Sequence, residues 1–94
     1  MHVVAQQRGS SVERAQRDPL VGNFFIVRGE GGRPQKAGRI NSRTEAGDYV
    51  VRVWFEADGS PAHGEIIPPD TLKTGRWLLF TNEASWRAAF ARMQ

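Results

Sequence analysis

The stretch Tyr49-Val-Val-Arg-Val-Trp-Phe-Glu56 constrains this chain more than any other. Read with a period of two, it places Tyr49, Val51, Val53 and Phe55 on one face and Val50, Arg52, Trp54 and Glu56 on the other. β-Branched and aromatic residues occupy both faces, so the segment reads as a central strand. A sheet therefore passes through the middle of the sequence, and the remaining elements are read outward from it.

Asn23 to Arg28 is a second short run of aromatic and β-branched residues, ended by Gly29. The Gly-rich stretch to Pro34 is a loop. Lys36 to Thr44 holds one strongly apolar residue, Ile40, which predicts an edge or highly exposed strand. Asp58-Gly59 is a strong hairpin signal after the central strand, and Ala62 to Ile67 is the returning partner. Pro68 and Pro69 stop that partner, because neither has an amide hydrogen to donate. A single 3₁₀ or helical turn over Pro69–Leu72 and a last strand over Arg76–Thr81 follow.

Residues 83–93 predict a helix capped by Asn82. Trp86, Ala89, Phe90 and Met93 form one apolar stripe along it. Residues 1–18 are polar, with too few apolar groups to offset ordering, and read as a disordered N-terminal tail. Residues 19–94 then form a single domain. The expected core is Phe24 or Phe25, Ile26, Ile40, Val51, Val53, Phe55, Ile66, Leu72, Leu79, Phe90 and Trp86.

The 94 residues contain no cysteine, which excludes disulfides, a thiolate zinc site and a cysteine nucleophile. No apolar run approaches the ~20 residues that span a bilayer, and the N-terminus lacks the apolar stretch of a signal peptide. A cytoplasmic location with no membrane association is the expectation. Net charge is +3, distributed as +1 over residues 1–27, +4 over 28–43, −5 over 44–70 and +3 over 71–94. Such a pattern steers an anion toward one side of a fold, unless the segments pair and neutralise each other.

From Val21 to Leu72 the chain resembles the SH3-like barrels, a group that includes Tudor-like and KOW-like modules. The resemblance rests on Gly38-Arg39-Ile40, on Gly47-Asp48-Tyr49-Val50-Val51, and on Ile66-Ile67-Pro68 with the turn ending at Leu72. It implies a mainly β fold, a small five-stranded antiparallel barrel, to which this chain adds an amphipathic C-terminal helix. Val21-Gly22-Asn23-Phe24 and the Gly-x-Ile and Gly-x-Tyr-x-Val order are also similar to the plasmid-type trimethoprim-resistant dihydrofolate reductases, tetrameric barrels with a shared pore. Where that family lines its pore with Val-Gln-Ile-Tyr, this chain reads Gly64-Glu65-Ile66-Ile67. A carboxylate there repels the anionic groups of folate and NADPH, so the activity is not carried over, and a barrel alone implies no function.

Catalytic signals are weak. His63 and Glu65, at i and i+2, lack the second imidazole or convergent carboxylates of a metal or acid–base site, and a solvated strand face accounts for them. Gly29-Glu-Gly-Gly-Arg33 lacks the Lys-Ser/Thr of a phosphate loop and opens no helix. The expectation is a non-catalytic binding module with no cofactor, no metal and no small-molecule substrate. Phosphate contact needs several cations on one face, and base stacking needs exposed rings. Arg28, Arg33, Lys36, Arg39, Arg43 and Arg52, with Trp54, are the candidate nucleic-acid contacts.

The alternative to that platform has Trp54 covered by the C-terminal helix through Trp86 and Phe90, and Arg52 paired to Glu56 or Glu65. The competing function is protein binding, as an adaptor with a peptide groove lined by Tyr49, Trp54 and Trp77. A homodimer formed through the Lys36–Thr44 edge belongs to the same class.

Overall fold

The computed structural model describes residues 18–94. Five strands form one antiparallel sheet: β1 (Phe24–Arg28), β2 (Pro34–Arg43), β3 (Tyr49–Glu56), β4 (His63–Ile67) and β5 (Trp77–Phe80). Their order is β4-β3-β2-β1-β5. Short 3₁₀ segments occupy Glu30–Gly32 and Pro69–Lys73, and helix α1 (Glu83–Met93) ends the chain. Among the described residues no ladder joins β4 to β5, so the sheet is not closed. None of the described helices is long and apolar enough to cross a membrane. Of the expected tail, residues 1–17 lie outside the described residues. Asp18 belongs to the folded part: its carboxylate accepts from the Leu20 amide, the Tyr49 hydroxyl and Arg43.

Apolar residues cover both faces of β1, and two cores result. Phe25 and Val27 point to the inner face, where they meet Ile40, Tyr49, Val51, Val53, Ile67 and Leu72. Phe24 and Ile26 point to the outer face, where α1 packs over them through Trp86 and Ala89. Both Phe24 and Phe25 are therefore core, one on each side. The helix is fixed in sequence by its cap, the Asn82 Oδ1 accepting from the Ser85 amide at 2.8 Å. It is fixed in space by the Trp86 indole, which donates from Nε1 to the Phe25 carbonyl at 2.8 Å.

Three expectations are corrected. Strand β2 is central, flanked by β3 and β1, and the edges are β4 and β5. Its small residues are what make it central. Ala37 and Gly38 are buried, and a Cβ at Gly38 would overlap the Arg52 carbonyl oxygen. Close backbone approach, rather than a row of large apolar side chains, buries this strand. Ile66 is not core but 66% exposed, and Ile67 takes the inner position beside Tyr49.

The third correction concerns β3. Gly38 pairs with Val53 but Ala37 pairs with Phe55, so Trp54 is the extra residue of a bulge. Alternation stops there. Trp54 and Phe55 both reach the outer face: Trp54 lies against Phe24 and Trp86, and Phe55 against Phe90. Phe55 thus leaves the face it was expected to share with Val51 and Val53. Glu56, in turn, moves toward His63.

Candidate functional site

The bulge at Trp54 sorts the charges. Across β2 and β3, Arg39 is the direct register partner of Arg52, and Gly64 of β4 stands on the other side of Arg52. Cross-strand partners share a face, so both guanidinium groups project from the outer surface. Two like charges directly opposite are unfavourable on a sheet. Neither carboxylate expected to relieve Arg52 reaches it. Glu65 pairs in register with Val51 and follows it to the inner face, and the bulge turns Glu56 the same way. Among the described residues Arg52 has no ion pair and is exposed.

Beside this pair stand three aromatic rings. Phe24 and Trp86 are 5.3 Å apart between centroids, and Trp54 meets Trp86 edge-on at 5.6 Å. Arg39 stacks on Phe24 with its guanidinium carbon 5.2 Å from the ring centre, while its Nε donates to the Gly22 carbonyl. The cation is held in place by a ring and a backbone oxygen, neither of which cancels its charge. Trp54 is 45% exposed although it touches the helix. The helix therefore braces the indole without sealing it. Arg87 lies 5.9 Å from the Trp86 ring, with Glu83 as its partner at 2.6 Å.

The other expected cations are elsewhere or engaged. Lys36 donates to both oxygens of Glu65, at 2.8 and 3.1 Å. Arg43 is paired to Asp18 at 3.0 Å and lies 4.8 Å from the centre of the Tyr49 ring. Arg28 donates to the Gly75 carbonyl. Arg33 lines a separate hollow with Gly29, Pro34 and Arg76. Of the seven candidate nucleic-acid contacts, Arg39, Arg52 and Trp54 come together.

The aromatic groove expected from Tyr49, Trp54 and Trp77 does not assemble. Tyr49 is 4% exposed on the inner face, with its hydroxyl donating to Asp18. Burial first, and then that hydrogen bond, raise its pKa. Trp77 packs on Phe25 in the same inner core, with centroids 4.6 Å apart. Only Trp54 faces outward.

Glu56, His63 and Glu65 bring ligand atoms within 4.8 Å of one another. The cluster already carries its own basic groups. His63 Nδ1 faces the Pro61 carbonyl at 2.8 Å and Nε2 faces Glu65 at 2.7 Å. Both ring nitrogens face acceptor oxygens, an arrangement that favours the protonated ring. Its pKa is raised accordingly, by the Pro61 carbonyl first and then by Glu65. Burial acts to raise the Glu65 pKa, but the hydrogen bonds from Lys36 and His63 outweigh it and hold the carboxyl low. Two carboxylates share this cluster with the Lys36 ammonium and a histidine whose charged form they favour.

Phe24 and Arg87 escaped the sequence reading of this site, while Trp86 entered it as a residue through which the helix would cover Trp54, a contact the structure makes without sealing the indole. Phe24 alternates with Phe25 on a strand apolar on both faces, so alternation does not say which of the two joins the site. Compared with protein-family models, curated proteins and solved structures, the chain matches none.

Proposed function

We propose that this chain is a non-catalytic binding module of the SH3-like barrel type, and that its outer face takes nucleic acid. The observation that carries this reading is the Arg39–Arg52 pair, opposed across two strands without a carboxylate and flanked by the open indole of Trp54. An anion placed between the guanidinium groups relieves their repulsion, and a base laid on the indole covers its apolar surface. A phosphodiester strand supplies both groups at a regular spacing. Support for the barrel type comes from strand order: the meander β1–β4, the 3₁₀ turn after β4 and the return of β5 to β1 follow the SH3-like pattern.

Fluorescence anisotropy with short labelled single- and double-stranded DNA and RNA, at two salt concentrations, tests the reading. Binding should weaken with salt by a log–log slope of about −0.7 for each single-strand phosphate engaged. Absence of binding at low salt ends it.

A second reading, self-association, rests on β5. Its outer edge is unpaired among the described residues, and a groove beside it is lined by Trp77, Leu78, Phe80, Ala89 and Met93. An open apolar edge recruits a further strand. Light scattering across a concentration series decides whether a second copy fills it.

A further inference from the structure

Against Trp54 lies a hollow of about 300 Å³, walled by Trp54, Phe55, Trp86 and Phe90, with the buried Ala37 and the exposed Ala91 also lining it and neither Arg39 nor Arg52 among its walls. We propose that this hollow is a subsite for one unpaired nucleobase, so that the outer face takes single-stranded rather than duplex nucleic acid; the proposal rests on the nucleic-acid reading above. Its size is at the small end of ligand pockets, which run from roughly 300 to 1,000 Å³. That suits one flat ring system and not a bulky side-chain cluster. The walls are the right kind. Trp54 and Trp86 meet at 68° and Phe55 and Phe90 at 82°. A ring stacked on one wall therefore meets the edge of the next, the arrangement aromatic groups prefer.

The lining also selects against other occupants. It includes Arg87, whose charge is met by Glu83, and no acidic side chain, so a cationic ligand such as a methylated lysine finds no unpaired acidic side chain within the lining. An aromatic ring joined to an anion meets Arg52 and Arg39 on the same outer face. A base inside a duplex is stacked above and below and cannot enter. A base in a single strand enters at little cost, and its flanking phosphate stays within reach of the arginine pair.

Three labelled probes of equal length decide the matter: a single strand, its duplex, and a single strand abasic at every position. Each is titrated against the intact chain and against Ala91→Leu. Ala91 is exposed on α1, so leucine there narrows the hollow while leaving both cores and the arginines in place. The single strand should bind the intact chain about tenfold tighter than the abasic strand, the loss expected for one stacked base, and Ala91→Leu should remove that margin. Equal binding of single, abasic and duplex probes overturns the base subsite and leaves the anionic-face reading standing. No salt-sensitive binding of any probe removes both. A margin unchanged in Ala91→Leu also overturns the subsite, since the stacking then happens elsewhere.

Discussion

On the inner face, Lys36, Glu56, His63 and Glu65 gather four ionisable groups of two signs within hydrogen-bonding reach. On the outer face, Arg39 and Arg52 stand opposite each other with the same sign, and among the described residues neither is paired to a carboxylate. The first set comes from β2, β3 and β4, and the second from β2 and β3. The bulge at Trp54 sends Glu56 inward while keeping Trp54 and Phe55 outward, and the register of β4 on β3 puts Glu65 opposite Val51 on the inner face. A single unpaired residue thus decides which face Glu56 joins. A charge count along the chain cannot register this, because it treats Arg52 and Glu56 as neighbours.

The largest expected effects break both faces at once. Gly38→Val forces a side chain onto the Arg52 carbonyl beside the bulge. Overpacking of this kind costs about 3 kcal/mol or more, and urea unfolding should show the folded fraction largely lost. Trp86→Ala removes the ring between Phe24 and Trp54 together with the bond to the Phe25 carbonyl. Truncating a buried aromatic costs about 3–5 kcal/mol, so the same measurement should place it close behind.

A sharper separation comes from comparing Trp54→Ala with Tyr49→Phe. Loss of the half-exposed indole should reduce single-strand affinity by about 1–3 kcal/mol while lowering the melting temperature far less than Trp86→Ala does. Tyr49→Phe should do the reverse. It loses the hydrogen bond to Asp18, about 1 kcal/mol of stability, and leaves affinity unchanged. If both variants lose affinity equally, the two faces are not independent.

Smaller still is the contrast between Lys36→Gln and Arg52→Gln. Removing a paired cation should destabilise by about 1 kcal/mol. Removing one of two opposed cations should stabilise by about 0.2–1 kcal/mol, while affinity for the oligonucleotide falls. Differential scanning calorimetry reads the sign directly.

The least effect is a pH dependence confined to the inner face. His63 has a folded pKa above its unfolded value of about 6.5. Its contribution is therefore fully present below that pH and is lost as pH rises through the folded value. Melting temperature should fall over that window in the native chain, and His63→Gln should flatten the decline.

Strand positions were legible because β-branched and aromatic runs, an Asp-Gly turn and paired prolines punctuate the chain at matching intervals. The helix was equally plain, since Asn82 and the stripe Trp86, Ala89, Phe90, Met93 state both its start and its buried side. Alternation put Arg52 and Trp54 on one face of the central strand, and left open whether the helix covers that face. Which face Phe55 and Glu56 took was not legible. A bulge leaves no composition of its own, and its stability comes from Gly38 admitting the Arg52 carbonyl, a contact between residues 14 apart. The central place of β2 was hidden for a related reason: Gly38 and Ala37 bury backbone, which apolar patterning does not record.

By itself, then, the sequence determined the elements, their lengths and the antiparallel hairpins, because these follow from local backbone preference and near-neighbour turns. The tertiary structure decided the pairing of β1 with β5, the docking of α1 on the outer face and the side on which each charge is met by its opposite. Those depend on close approaches between residues far apart in the chain, where one backbone contact at Gly38 accompanies a reversal in the direction of every side chain beyond it on β3.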